Sequence, residues 1–192
     1  MHQAQNPPQT RRNALKTGAG LWAAGVAGSW SGVLGNAGAQ TLSPAQMELA
    51  APPLPATGSV LRLPEIALLG GGVFHPEQAK DLVTVVYWWA STCPFCAQQS
   101  PEMQKLWQSY QGKGLQMLAL SVDRSPEEAQ TYLLKKGYTF PSAWVSTDLH
   151  KRLPKPKGLP VTVVLGRNSR VLQAEKGQLF PEDVAQLADW LK

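Results

Sequence analysis

The chain has 192 residues, 43% of them hydrophobic, with a formal charge of +5 and only two cysteines. That length supports one good core, and two cysteines are too few for a disulfide scaffold. Three of the 18 basic residues, Arg11, Arg12 and Lys16, fall in a leader without acids. The rest of the chain, with 13 acids, balances at +2 and carries no basic footprint for nucleic acid.

Residues 1–39 read as a signal peptide. Adjacent arginines lead into Leu15-Lys16, an uncharged Gly/Ala-rich stretch covers 17–35, and Ala37-Gly38-Ala39 forms a small-x-small cleavage site before Gln40. The arginine pair and weakly apolar core fit a twin-arginine-like route, although Ala14 stands where a bulky apolar residue is usual. An ordinary Sec signal and an uncleaved anchor are the alternatives; the stretch is poor in Leu, Ile and Phe for a membrane span. Residues 40–58 are rich in Ala and Pro and predict an extended linker with little packing.

Residues 59–192 then form one domain. Short strands are expected at 66–69 and 73–74 around Gly70-Gly71-Gly72, followed by a strand at 82–89 without polar alternation, as when both faces are covered. Pro94–Tyr110 predicts a helix with Met103, Leu106, Trp107 and Tyr110 at core spacing and Pro101 as a kink or break. A strand at 115–122 follows, and then a helix over Pro126–Lys136 with Glu127 and Glu128 in its first turn. Strands at 142–145, 161–165 and 170–174, the last two as a hairpin, precede a closing helix at 181–191 with Val184, Leu187, Ala188 and Leu191 on one stripe. Lys151, Arg152, Lys155 and Lys157, interrupted by Pro154 and Pro156, read as a solvated basic loop. The pattern predicts an α/β layered domain.

The chemistry concentrates in Cys93-Pro94-Phe95-Cys96, at the junction of the central strand and the helix. With Cys93 as N-cap, Pro94 takes the first helical position at no cost in hydrogen bonding. The free N–H groups of Phe95 and Cys96 then face the Cys93 sulfur, and the helix dipole favours a thiolate there. Cys93 would attack and Cys96, one turn on, would resolve. An inert disulfide is an alternative, though so short a loop restrains little of the unfolded chain. Half a zinc site would need ligands beyond the distant His75 and His150, and a c-type haem site would need His where Ala97 stands.

The segment from Tyr87 to Cys96, with Pro101, Leu118-Ala119-Leu120-Ser121-Val122-Asp123 and Gly158-Leu159-Pro160-Val161-Thr162, resembles the thioredoxin superfamily and, within it, the exported TlpA/ResA-like branch. The resemblance covers about residues 60–192. It implies a thioredoxin-like fold, a central mixed β-sheet flanked by helices, with a short N-terminal β extension. It also implies a cis Pro160 facing the thiols, a Leu159 backbone open to an added substrate strand, and Trp89, Pro94 and Phe95 around the site. A trans proline that merely starts a strand is the simpler reading of Pro160. Two features depart from the family: Tyr87 and Gln99 occupy positions where members carry a buried acid, and Pro-Phe is not the usual dipeptide of reductive thioredoxins.

The resemblance implies an exported thiol–disulfide oxidoreductase that reduces extracytoplasmic proteins, such as apocytochrome c or copper-site proteins. A membrane electron carrier or quinone-linked partner would recharge it in the periplasm. No cofactor motif and no metal site are expected. A disulfide oxidase or isomerase uses the same residues in reverse. A Cu(I)-binding thiol chaperone would use both thiolates but lacks a Met/His cluster, and a thiol peroxidase would need a threonine where Ala90 stands.

Overall fold

The computed structural model describes residues 43–192; the leader expected over 1–39, and the first residues of the linker, lie outside the described residues. Among the described residues, seven strands and five α-helices build the domain. A five-stranded sheet has the order β5-β4-β3-β6-β7, with β3 (Val83–Trp89), β4 (Leu115–Ser121), β5 (Ser142–Trp144), β6 (Val161–Leu165) and β7 (Val171–Lys176). β3, β4 and β5 are parallel, while β6 and β7 form the expected hairpin, β6 running antiparallel to β3. β1 (Ile66–Ala67) and β2 (Val73–Phe74) make a separate antiparallel pair.

Every residue of β3 is buried, and the two-residue period of a strand divides them between two cores. Val83, Val85, Tyr87 and Trp89 face the core shared with α2 (Pro94–Tyr110), α3 (Pro126–Lys136) and α5 (Pro181–Gln186). Val86 and Trp88 face the other core, with Ile66 and Phe74 of the small hairpin and Leu149 of α4 (Thr147–Arg152). Tyr87 and Trp89 are thereby placed on the side of the sheet from which α2 springs.

Local chemistry sets the helix ends. Ser125 caps α3 by accepting from Glu128 N–H, and Gly137 closes it at φ +68°. α2 runs through Pro101 to Tyr110 as one helix. The closing segment is α-helical only to Gln186 and continues as a 3₁₀ turn to Leu191.

Two expectations are corrected. The Ala/Pro-rich segment is not simply extended: Pro44–Ala50 forms α1, with Ser43 and Gln46 in a reciprocal capping box. The basic loop is also not simply solvated. Lys151 and Arg152 end α4, Leu149 and Leu153 are buried beneath it, and Lys155 is only 12% exposed. Further along, residues 58–61 run beside the start of β7: Gly58 N–H donates to Val171 O (2.7 Å) and Val171 N–H to Ser59 O (2.8 Å).

Candidate active site

β3 ends at Trp89, and four residues later Cys93 is the N-cap of α2, with extended backbone (φ −85°, ψ 115°). Pro94 follows at the first helical position, where its missing N–H is not needed. Of the two N–H groups expected to face the sulfur, that of Cys96 makes the hydrogen bond, donating to Cys93 Sγ over 3.2 Å. Both cysteines are free, Cys93 half-buried and Cys96 buried. Burial pushes the Cys96 thiol well above its ordinary range, and a hydrogen bond to Cys93 adds to this. The pair is therefore asymmetric: one sulfur is accessible and contacted by a peptide N–H, the other is shielded and holds its proton.

The turn before Cys93 is fixed by Asp123. Its Oδ1 accepts from Ser91 N–H (2.9 Å) and Ser91 Oγ (2.8 Å), and its Oδ2 accepts from Ser121 Oγ (2.7 Å). Trp144 Nε1 donates to the Asp123 carbonyl (2.7 Å), so β4, β5 and the β3–α2 turn are held together. Asp123 was visible in sequence only as the end of a strand; its hold on Ser91 spans 32 residues.

Beneath Cys96, the Tyr87 hydroxyl lies 3.0 Å from Ser100 Oγ and donates to the Cys96 carbonyl over 3.4 Å. As a donor near the Cys96 thiol it works against the burial that raises it, and is the smallest of the influences there. Burial drives the Tyr87 phenol itself well above its usual range, and ionisation of Cys96 would push it further. The phenol is thus a proton donor, not a base. Gln99 serves the fold instead. Its Nε2 donates to Thr162 Oγ1 (2.9 Å) and its Oε1 accepts from Leu179 N–H (2.8 Å), tying α2 to β6 and to the approach of α5. Glu102 is paired with Lys105 on the flank of α2.

The remaining expected residues fall as follows. Trp89 is buried in the core that holds Cys96, its ring 5.5 Å from that of Tyr132. Pro94 is exposed, and Phe95 is 55% exposed at the rim. The Leu159–Pro160 peptide is cis. Because Val161 pairs with Trp88 in an antiparallel register, Pro160 enters β6 at the sheet end where β3 leaves for Cys93. The Leu159 side chain packs against both cores, while its N–H and C=O have no partner among the described residues. Among the described residues no group of three or more His, Cys, Asp or Glu could hold a metal, and no helix is long and apolar enough to cross a membrane.

Fold and site together define a thioredoxin-like domain with a dithiol at the head of its second helix and a cis proline at the same sheet end. Residues 63–173 match the AhpC/TSA family, and the chain belongs to that family. It is similar to the thiol-disulfide oxidoreductase ResA of Geobacillus thermodenitrificans, 26% identical over 107 residues, 54% of this chain and 60% of that one. The corresponding ResA of Bacillus thuringiensis is 27% identical over 127 residues, 65% of this chain and 70% of its own. Among solved structures, a putative thiol:disulfide interchange protein DsbE from Chlorobium tepidum superposes with a TM-score of 0.63 at 25% identity, over 71% of this chain and 99% of that one. These likenesses agree with the branch that the motifs implied.

Proposed function

We propose that the chain is an exported thiol–disulfide oxidoreductase working as a reductase, with Cys93 as nucleophile and Cys96 as resolving thiol. The observation that carries this is the asymmetry of the pair: Cys93 Sγ accepts a peptide N–H at a helix start, while Cys96 is buried and protonated. Cys93 thiolate attacks one sulfur of a substrate disulfide, and the other substrate sulfur leaves as a thiolate. Cys96 then gives up its proton and attacks Cys93 Sγ. The remaining substrate sulfur leaves and is protonated, so two electrons pass to the substrate and a Cys93–Cys96 disulfide remains. The peptide groups of Leu159, unpartnered among the described residues, are suited to hold the substrate chain as an added strand, and exposed Phe95 to contact its side chains. Disulfides of extracytoplasmic proteins such as apocytochromes or copper-site proteins are the substrates, and a membrane electron carrier or quinone-linked partner restores the dithiol. The leader supports export to the periplasm.

The Pro94-Phe95 dipeptide favours a second reading, in which the same pair oxidises dithiols or isomerises disulfides. The equilibrium potential of the pair against a glutathione series separates the two. A value at or below about −230 mV places it with reducing thioredoxin-type proteins; one above about −150 mV places it with strong oxidants and ends the reductase reading.

A further inference from the structure

The loop from Pro154 to Pro160 leads into the site, and the sheet side holds it at its end, where Gly177 N–H donates to Pro160 O over 2.9 Å. Pro154, Pro156 and Pro160 have no N–H to give. Two backbone N–H groups of the loop find partners among the described residues, and both reach the N-terminal segment. Gly158 N–H donates to Glu48 Oε1 over 2.6 Å, and Lys157 N–H donates to Pro52 O over 2.9 Å. Lys155 Nζ closes the joint from beneath, 2.9 Å from Glu48 Oε2 and donating to the carbonyls of Pro156 (2.9 Å) and Gly158 (3.0 Å). One ammonium and one carboxylate thus satisfy three backbone groups close to Leu159. Gly158 itself has φ +99°, and a Cβ there would lie 2.7 Å from the Lys176 side chain, so any other residue would be strained and would displace Lys176.

We propose that Glu48 is a positioning residue for substrate. Through Gly158 N–H and Lys155 it holds the Gly158–Leu159–Pro160 backbone in the orientation that receives a disulfide-bearing polypeptide, which makes α1 a part of the docking edge. The inference rests on reading Leu159 as the docking strand and Cys93 as the nucleophile. Its physical basis is preorganisation: a loop already ordered does not lose that freedom when the substrate chain binds. A small disulfide that pairs with no backbone gains nothing from it. Glu48 lies far from the reacting sulfurs in sequence and acts on binding, not on the exchange step.

The test uses the full chain, with insulin as the protein disulfide, dithiothreitol as the recharging reductant and cystamine as the small disulfide. Glu48→Ala is expected to raise KM for insulin fivefold or more, with kcat and the cystamine rate within twofold of the wild type. Glu48→Gln, whose amide oxygen still accepts from Gly158, should fall between. Lys155→Met should raise KM comparably, and adding it to Glu48→Ala should cost little more. The Gly158 amide should exchange its hydrogen at least tenfold faster in Glu48→Ala, which shows that the joint has opened without the fold. A KM within twofold of the wild type overturns the proposal, and so does an equal loss with cystamine, which would place the effect at the thiols. Cys93→Ser isolates the underlying reading: if it still reduces insulin, the assignment of the cysteine pair fails whatever Glu48 does. If it is dead while Glu48→Ala is normal, only the positioning role fails.

Discussion

Tyr87→Phe removes a single hydroxyl from a fully buried ring and leaves the packing against Phe140 in place. That hydroxyl is a side-chain donor placed beside Cys96, where it can favour the thiolate. A hydrogen bond to a charged group contributes about 1.5–3 kcal/mol, which corresponds to a further rise of about 1–2 units in the Cys96 titration. The thiolate fraction at neutral pH then falls about ten- to a hundredfold. A more basic thiolate is also a better nucleophile, with a Brønsted slope of about 0.4–0.5, so resolution should slow by only about three- to sixteenfold. The assay is single-turnover: a mixed disulfide is formed on Cys93, and its displacement by Cys96 is followed across pH. First attack by Cys93, measured in a Cys96→Ser background, should be unchanged. A resolution rate within twofold of the wild type at pH 7, with no shift of the pH profile, would refute the role given to the phenol.

Cys93→Ser should abolish exchange, whereas Cys96→Ser should accumulate mixed disulfides visible on non-reducing gels; stable trapping by Cys93→Ser instead would reverse the roles. Gln99→Ala strips partners from the Leu179 N–H and the buried Thr162 hydroxyl. At about 1–3 kcal/mol for each orphaned group, it should lower the melting temperature by several degrees, read by calorimetry. Because burial raises the Cys96 thiol in the folded state, its contribution to stability is complete below the unfolded value near 9 and erodes as pH rises beyond it. Cys93→Ala, which keeps only that thiol, should therefore lose up to about 1.4 kcal/mol per pH unit above 9 relative to the Cys93→Ala/Cys96→Ala protein in urea titrations. For Glu48, burial acts to raise the carboxyl, but Lys155 and the Gly158 N–H outweigh it and hold the group below the usual carboxylate range. The joint should persist through mildly acidic pH and open only as pH falls through that lowered value, read from Gly158 amide exchange.

The buried strands were legible because an apolar run such as 82–89 has few other uses, and α2 and α3 because proline, capping residues and apolar spacing agree at their ends. α4 was missed since six residues offer only one turn of signal: Leu149 and Leu153 are four apart, and the intervening His150, Lys151 and Arg152 look like a solvated loop. The thiol pair could be read from Cys93 and Cys96 alone. The role of Tyr87 could not, because sequence marks only a missing acid, and it takes the face of β3 to place the hydroxyl beside the buried sulfur. The Glu48–Lys155 contact joins residues 107 apart, each in a Pro-rich stretch whose composition suggests no structure.

The run of residues 58–61 along β7 bears on solubility. β7 is the last strand of the sheet, and an uncovered last strand presents peptide groups to which a second chain can add. Gly58 and Ser59 occupy the outer peptide groups of Val171, and Trp190 reaches over to Gln173, with Glu175 and Lys176 supplying charge toward the far end. A fragment cut to begin after residue 61 would keep the thiols and the whole sheet yet uncover that border, and self-association would be its characteristic fault.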